Sequence, residues 1–377
     1  MSGPSGAGSG GGSSQGEAGL ADLLRRSVRF AAAIARVSET PIQIATTPKA
    51  EVWRDGKVSL HRYHLETAPQ LGPLLILHGL FGRQTITDLG PRRSLVRRLL
   101  DRGTDLWVLD WGSPSRADSY LDFTDYAIDW LGEAIDQVTA ATGRAPSLIG
   151  ICQGGVFALC HAALFPQRVA GLALAVTPVD FHADAADANP EHGVLNLWMR
   201  ELPPPLVEAF LDERGGIPGA MAGAAFQSVL PPRMQRLKGP ELLELADDPD
   251  ALDLYLRMET WLSDRPDHPA GAARQWLLDL YRENALIRDA FVLDGRPVRL
   301  SEIRCPVLNI VAAQDHLVPP SCARGIEGHV PEASYKLLEI PTGHIGVFVS
   351  EKARDLVAPA IIDWLHHVRA AQNGRAE

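Results

Sequence analysis

Ser147-Leu148-Ile149-Gly150-Ile151-Cys152-Gln153-Gly154-Gly155 is the stretch on which the reading of this chain turns. A short apolar run ends at Gly150 and leads into G-x-C-x-G-G, and an apolar helical pattern, Gly155–Phe165, follows. The order strand, sharp turn, helix is that of a turn built to present a nucleophile, with cysteine where serine is usual. Gly150 and Gly154 leave room for such a turn. It lifts the side chain out of the sheet at the start of a helix, where the helix dipole and free amides favour a thiolate. Taken alone, G-x-C-x-G also fits a buried structural cysteine. The flanking strand and helix, and suitable partners downstream, decide for the nucleophile.

Working outward, further short apolar runs have the character of buried parallel strands: Pro73–His78, Asp105–Asp110, Ser147–Gly150, Val169–Val176, Val307–Ala312 and Tyr335–Ile340. Helical spacing of apolar residues marks Arg92–Arg102, Phe123–Thr142, Gly155–Phe165 and Lys352–Arg369. This alternation predicts an α/β fold, a mostly parallel sheet with helices on both faces. It stops between Phe181 and Leu300. Trp198, Phe210, Phe226, Tyr255, Trp261, Trp276 and Tyr281 lie there on helix-like patterns broken by prolines at 203–205, 218, 231–232 and 266. The segment is too long and too apolar for a loop, and is read as a helical lid inserted at the sheet edge. The domain reading is therefore a disordered Gly/Ser tail over 1–20, a core over 21–180 and 301–377, and a lid over 181–300.

A thiol nucleophile needs a base, and the base an acid that fixes its tautomer. In the α/β-hydrolase fold these follow in the order nucleophile, acid, histidine. The strand Val307–Ala312 ends in Gln314-Asp315-His316, and Tyr335–Ile340 ends in Pro341-Thr342-Gly343-His344. Both fall at strand carboxyl ends, where such sheets bind ligands. Asp315 is taken as the orienting acid and His344 as the base. His316 is the competing imidazole, and His61, His161, His366 and His367 read as surface or packing residues. The oxyanion donors are expected to be the backbone N–H of Gln153 and, from His78-Gly79-Leu80-Phe81-Gly82, that of Leu80, with Phe81 next. Cys160, Cys305 and Cys322 read as structural.

Composition excludes other classes. Charged residues are 22% and hydrophobic residues 46% of the chain, ordinary for a globular protein. A net charge of −10 provides no basic field for nucleic acid. The four cysteines form neither a CxxC pair nor a zinc-spaced cluster, so no metal and no disulfide framework is expected. No apolar run is long enough for a membrane span, and the start lacks the basic and apolar regions of a secretory signal. Together these favour a reducing cytoplasm.

With these residues placed, the chain resembles the polyhydroxyalkanoate (PHA) synthases, and most closely the catalytic subunit (PhaC type) of the short, two-subunit class III enzymes. The resemblance runs from about Leu71 to Ile362. It is carried by Leu109-Asp110-Trp111-Gly112-Ser113-Pro114, Gly150-Ile151-Cys152-Gln153-Gly154-Gly155 and Val176-Thr177-Pro178-Val179-Asp180-Phe181. Within the lid it is carried by Gly216-Ile217-Pro218-Gly219, Arg257-Met258-Glu259-Thr260-Trp261, Asp264-Arg265-Pro266-Asp267 and Arg274-Gln275-Trp276. Gln314-Asp315-His316-Leu317-Val318-Pro319-Pro320 and Gly343-His344-Ile345-Gly346 complete it. At Gly79-Leu80-Phe81-Gly82-Arg83 the chain departs from the family's Ala-Leu-Val-Asn-Arg-like segment and is nearer to general α/β-hydrolases.

The resemblance implies the same triad, Cys152, Asp315 and His344. It implies polymerisation of (R)-3-hydroxyacyl-CoA with release of CoA, the thioester being substrate and no cofactor being used. It further implies a PhaE-type second subunit, a homodimer or hetero-oligomer, and a place in the cytoplasm at the surface of polymer granules. Two other readings remain: a cysteine hydrolase resembling dienelactone hydrolase or a thioesterase, and a non-catalytic granule-associated protein that keeps the fold.

Overall fold

The computed structural model describes residues 11–38, 41–186, 193–229 and 240–373. Its main sheet has eight strands: β1 (Lys49–Asp55), β2 (Val58–Tyr63), β3 (Leu71–Leu77), β4 (Thr104–Asp110), β5 (Ser147–Ile151), β6 (Gly171–Ala175), β7 (Val307–Ala312) and β8 (Tyr335–Ile340). Their order in space is β1-β2-β4-β3-β5-β6-β7-β8. β2 is antiparallel to β1 and β4, and all pairings from β4 to β8 are parallel. The described helices used below are α1 (Gly11–Ser38), α2 (Leu95–Leu100), α3 (Leu131–Thr142), α4 (Gln153–Leu164), α5 (Val194–Glu201), α6 (Pro204–Arg214), α7 (Gly219–Ser228), α8 (Pro249–Ser263), α9 (Ala270–Arg274) and, after β8, α10 (Glu351–Asn373).

The six strands expected from sequence all form, to within a residue or two. β5, β6 and β7 are buried along their whole length, which is why they read as unbroken apolar runs. Helices lie on opposite faces of β5. A Cβ on Gly171, paired with Ser147, would meet Val368 and Trp364 of α10 as well as the Ser147 side chain, whereas one on Gly150 would meet Gly155 of α4. Residues 147 and 150 point to opposite sides of a strand, so α10 and α4 cover opposite faces of the sheet.

The β1–β2 hairpin was not legible. β1 is an exposed edge strand of mixed charge, Lys-Ala-Glu-Val-Trp-Arg-Asp, with no buried face to impose alternation. α2 is shorter than expected. The Ser94 side chain caps it by accepting the Arg97 N–H at 3.0 Å, while Arg93 and Ser94 pair with the short strand Asp88–Gly90. The expected Phe123–Thr142 helix starts with a π-helical turn, Asp125–Trp130, before α3.

The tail differs from its expectation. Met1–Gly10 lie outside the described residues, but α1 begins at Gly11, so the stretch to residue 20 is helical rather than disordered. Extending an existing helix costs far less than nucleating one, and the residues after Gly19 supply Leu, Ala and Arg.

Between β6 and β7 no described residue joins the main sheet. The seven aromatic residues singled out there all lie on helices: α5, α6, α7, α8 and a π-helical run, Gln275–Arg282, that continues α9. Pro231 and Pro232 lie outside the described residues. Trp276 meets Phe181 edge-on at 5.4 Å between ring centroids, and Tyr281 meets Phe181 at 4.9 Å. Trp276 and Tyr281 are buried and belong to the core, whereas Trp198 is 50% exposed.

The chain divides into two compact units: Ile44–Val229 with Trp261–Glu377, which carries the sheet, and Met1–Gln43 with Leu230–Thr260. The latter's described residues include α1 and the 3-10 stretch Pro240–Asp247, joined by Arg26–Glu244 at 3.0 Å and Arg29–Asp247 at 3.3 Å. The described residues 240–260 of the expected 181–300 segment thus belong to the second unit.

Candidate active site

Cys152 sits between β5 and α4 with φ 52° and ψ −123°, a conformation that L residues rarely adopt. Its N–H donates to Ala175 O at 2.9 Å, and its own carbonyl accepts the Gly155 N–H at 2.9 Å. The turn closes only because its neighbours lack side chains. A Cβ on Gly150 would lie 2.4 Å from Gly155 Cα, and one on Gly155 1.9 Å from Thr177 Oγ1. Cys152 remains partly exposed, whereas Cys160, Cys305 and Cys322 are buried. Burial pushes the Cys160 thiol up, and that of Cys322 to about 12.

Asp315 follows β7 and His344 follows β8. His344 Nδ1 lies 2.7 Å from Asp315 Oδ2. The other carboxylate oxygen, Oδ1, accepts the Leu317 N–H at 2.9 Å and the Val318 N–H at 3.0 Å. Asp315 is 1% exposed, so these bonds fix which oxygen faces the imidazole. Burial disfavours charge on His344. The Asp315 carboxylate and the charge of Cys152, with hydrogen bonds to both, outweigh it and raise the imidazole to about 10. The carboxylate's imidazole partner is His344; His316 is buried beside it. The structure therefore brings Cys152, Asp315 and His344 together at the carboxyl edge of the sheet. A thiol hydrogen-bonded to an imidazole that is itself held by a buried carboxylate is equipped for nucleophilic attack on an acyl carbonyl.

The oxyanion reading needs one correction. The Leu80 N–H does not stand free; it donates to Gln153 Oε1 at 2.9 Å. The loop approaches α4 closely enough for this because residue 79 is glycine: a Cβ there would lie 2.8 Å from Gln153 Cβ. Sequence reasoning placed the two backbone amides but could not see that the Gln153 side chain would accept the Leu80 N–H. The Gln153 N–H is the first of α4, a position without an acceptor one turn back.

Residues 261–276 grip this loop. Gln153 Nε2 lies 2.9 Å from His268 Nε2, and His268 Nδ1 lies 3.3 Å from Pro269 O. Burial lowers His268 to about 4, so the ring is neutral. Its proton then belongs on Nδ1, and Nε2 accepts from Gln153. The Phe81 ring lies 4.6 Å from that of His268, Arg265 Nη1 donates to Phe81 O at 2.9 Å, and Trp261 Nε1 donates to Arg83 O at 3.0 Å. His268 was missed in the sequence. Its only signal was position, directly after Asp264-Arg265-Pro266-Asp267.

Among the described residues no group of three or more His, Cys, Asp or Glu side chains is placed to hold a metal ion. No described helix is long and apolar enough to cross a membrane.

Residues 72–351 match the family model of the alpha/beta hydrolase fold. The chain is 38% identical to the poly(3-hydroxyalkanoate) polymerase subunit PhaC of Allochromatium vinosum, over 86% of this chain and 90% of that one. It is 36% identical to the subunit of the same name from Thiocystis violacea, over the same shares. Among solved structures, the monoacylglycerol lipase of Paleococcus ferrophilus superposes with a TM-score of 0.51 at 18% identity, covering 82% of this chain and 99% of the lipase. That likeness is one of fold. Identity of this size over nearly the whole length shows that the chain belongs to the poly(3-hydroxyalkanoate) polymerase PhaC family, on the α/β-hydrolase fold.

Proposed function

We propose that this chain is the catalytic subunit of a poly(3-hydroxyalkanoate) synthase, an acyltransferase that polymerises (R)-3-hydroxyacyl-CoA through an acyl-enzyme on Cys152. The observation that carries the mechanism is the 2.7 Å hydrogen bond from His344 to the buried Asp315, with the same imidazole hydrogen-bonded to Cys152. The Cys152 thiolate attacks the thioester carbonyl, and the negative charge moves to its oxygen. Backbone N–H groups at the start of α4 stabilise that oxyanion. The C–S bond to CoA breaks, and His344 supplies the proton that lets CoA leave as a thiol. A thioester exchanged for a thioester is close to balanced in free energy, so the acyl group stays reactive. In elongation the hydroxyl of a further hydroxyacyl-CoA attacks the acyl-thioester; the ester C–O bond forms, the C–S bond to Cys152 breaks and returns the thiolate, and His344, oriented by Asp315, takes the hydroxyl proton.

The partner in this reading is a PhaE-type second subunit, within a hetero-oligomer, and the place of work is the granule surface in the cytoplasm. Its support is the resemblance to class III enzymes. The test is CoA release from 3-hydroxybutyryl-CoA, with and without that subunit, followed by identification of the product. Polymer supports the proposal. Free 3-hydroxybutyrate as sole product would move the chain to the thioesterase or dienelactone-hydrolase class. No CoA release under either condition would leave a non-catalytic granule protein.

A further inference from the structure

The contact that ties Leu80 to Gln153 does not end there. Gln153 is fully buried, and both ends of its carboxamide are used: Oε1 takes the Leu80 N–H at 2.9 Å and Nε2 meets His268 Nε2 at 2.9 Å. His268 is 1% exposed, and its other nitrogen is directed to Pro269 O. A carboxamide has one acceptor end and one donor end. With Nε2 bonded to a neutral imidazole, Oε1 is fixed as the end facing Leu80. The same ring packs on Phe81, one residue further along the loop, with 4.6 Å between centroids.

We infer that His268 is a positioning residue for the oxyanion site, acting through the Gln153 side chain to hold Gln153, whose backbone N–H opens α4 beside Cys152, against the Leu80–Phe81 loop. The inference rests on Cys152 being the nucleophile. His268 touches no reacting atom, since Gln153 stands between. Removing its acceptor leaves a buried amide N–H without a partner, which burial makes unfavourable. The carboxamide then turns to find another acceptor, and the loop loses its anchor on α4. Because His268 pairs across a two-residue antiparallel bridge with Ile217, the anchor itself is fixed to the segment between β6 and β7. That segment thereby helps to set the catalytic geometry and does not only cover the site.

The test uses the complete enzyme with its second subunit. Turnover of 3-hydroxybutyryl-CoA, alkylation of Cys152 by iodoacetamide and the urea midpoint are measured for His268→Phe and His268→Gln. Phe keeps the packing on Phe81 and lacks the acceptor; Gln places an oxygen near the position of Nε2. His268→Phe is expected to lower kcat roughly 10- to 100-fold, the scale of a misplaced oxyanion donor, with KM and the alkylation rate little changed. Alkylation needs the thiolate but no oxyanion site, so a merely structural defect would slow both. His268→Gln should restore most of kcat. Gln153→Leu should lose as much as His268→Phe, and the double variant no more than either. Unchanged or faster turnover in His268→Phe, a parallel fall in alkylation, failure of His268→Gln to rescue, or additive losses in the double variant would each overturn the inference. Activity that survives Cys152→Ala would overturn the nucleophile assignment instead.

Discussion

Gly154 on the first turn of α4 lies so close to His78 at the end of β3 that a Cβ on it would stand 2.5 Å from the His78 carbonyl carbon. This approach brings the turn at Cys152 and the loop after β3 together, and backbone on both sides leaves nothing flexible to yield. Gly154→Ala is therefore expected to destabilise the fold by about 1–3 kcal/mol through overpacking. The readout is the urea midpoint at unchanged m-value. An unchanged midpoint would mean that the two loops part without cost.

Cys152→Ala should abolish CoA release while the protein stays folded, because the side chain is presented at the turn and only partly buried against a small core cluster. Alanine in place of Cys160, Cys305 or Cys322 should keep most of the activity, allowing for the stability lost by emptying a buried site. Turnover by Cys152→Ala at the parent rate would refute the covalent mechanism.

His344→Gln should slow alkylation of Cys152 near neutral pH, since the thiol loses the imidazole that shares its proton. Raising the pH should recover the rate. Asp315→Asn should cut turnover on the order of a thousandfold or more, because an amide facing Nδ1 selects the wrong tautomer. If His316→Gln proves the more damaging change, the base assignment fails.

The raised His344 pKa has a stability consequence with a definite sign. The folded protein holds its proton up to about 10, the unfolded chain only to the ordinary 6.5. The contribution is thus fully present below 6.5 and is lost as pH rises through the folded value. The difference in unfolding midpoint between the parent and His344→Gln should shrink between about pH 7 and about pH 10.5. A gap that widens with pH would contradict the pairing.

Labelling of Cys152 with a bulky thiol reagent, with and without the PhaE-type subunit, tests gating by the segment between β6 and β7. Activity that requires this segment to move predicts slow labelling and a turnover lag in the isolated chain, both relieved by the partner. Fast labelling in both states, with lag-free turnover by the isolated chain, would remove the gate.

The parallel strands, and the positions of Cys152, Asp315 and His344 at strand ends, were legible in the sequence. Strands buried on both faces must be apolar throughout, so β3, β5, β6 and β7 stood out as runs. The Gly150–Gly155 stretch admits few other backbones, and Asp315 and His344 follow strands whose ends must converge at one edge. The tertiary structure decided what depends on a water-facing edge or on a side chain's choice of partner. β1 faces solvent and leaves no periodic trace. The Leu80 amide was legible as a donor, but its acceptor, a side-chain oxygen of Gln153, is selected by His268 more than a hundred positions along the chain. Local sequence fixes which groups donate and accept; only packing decides which of them meet.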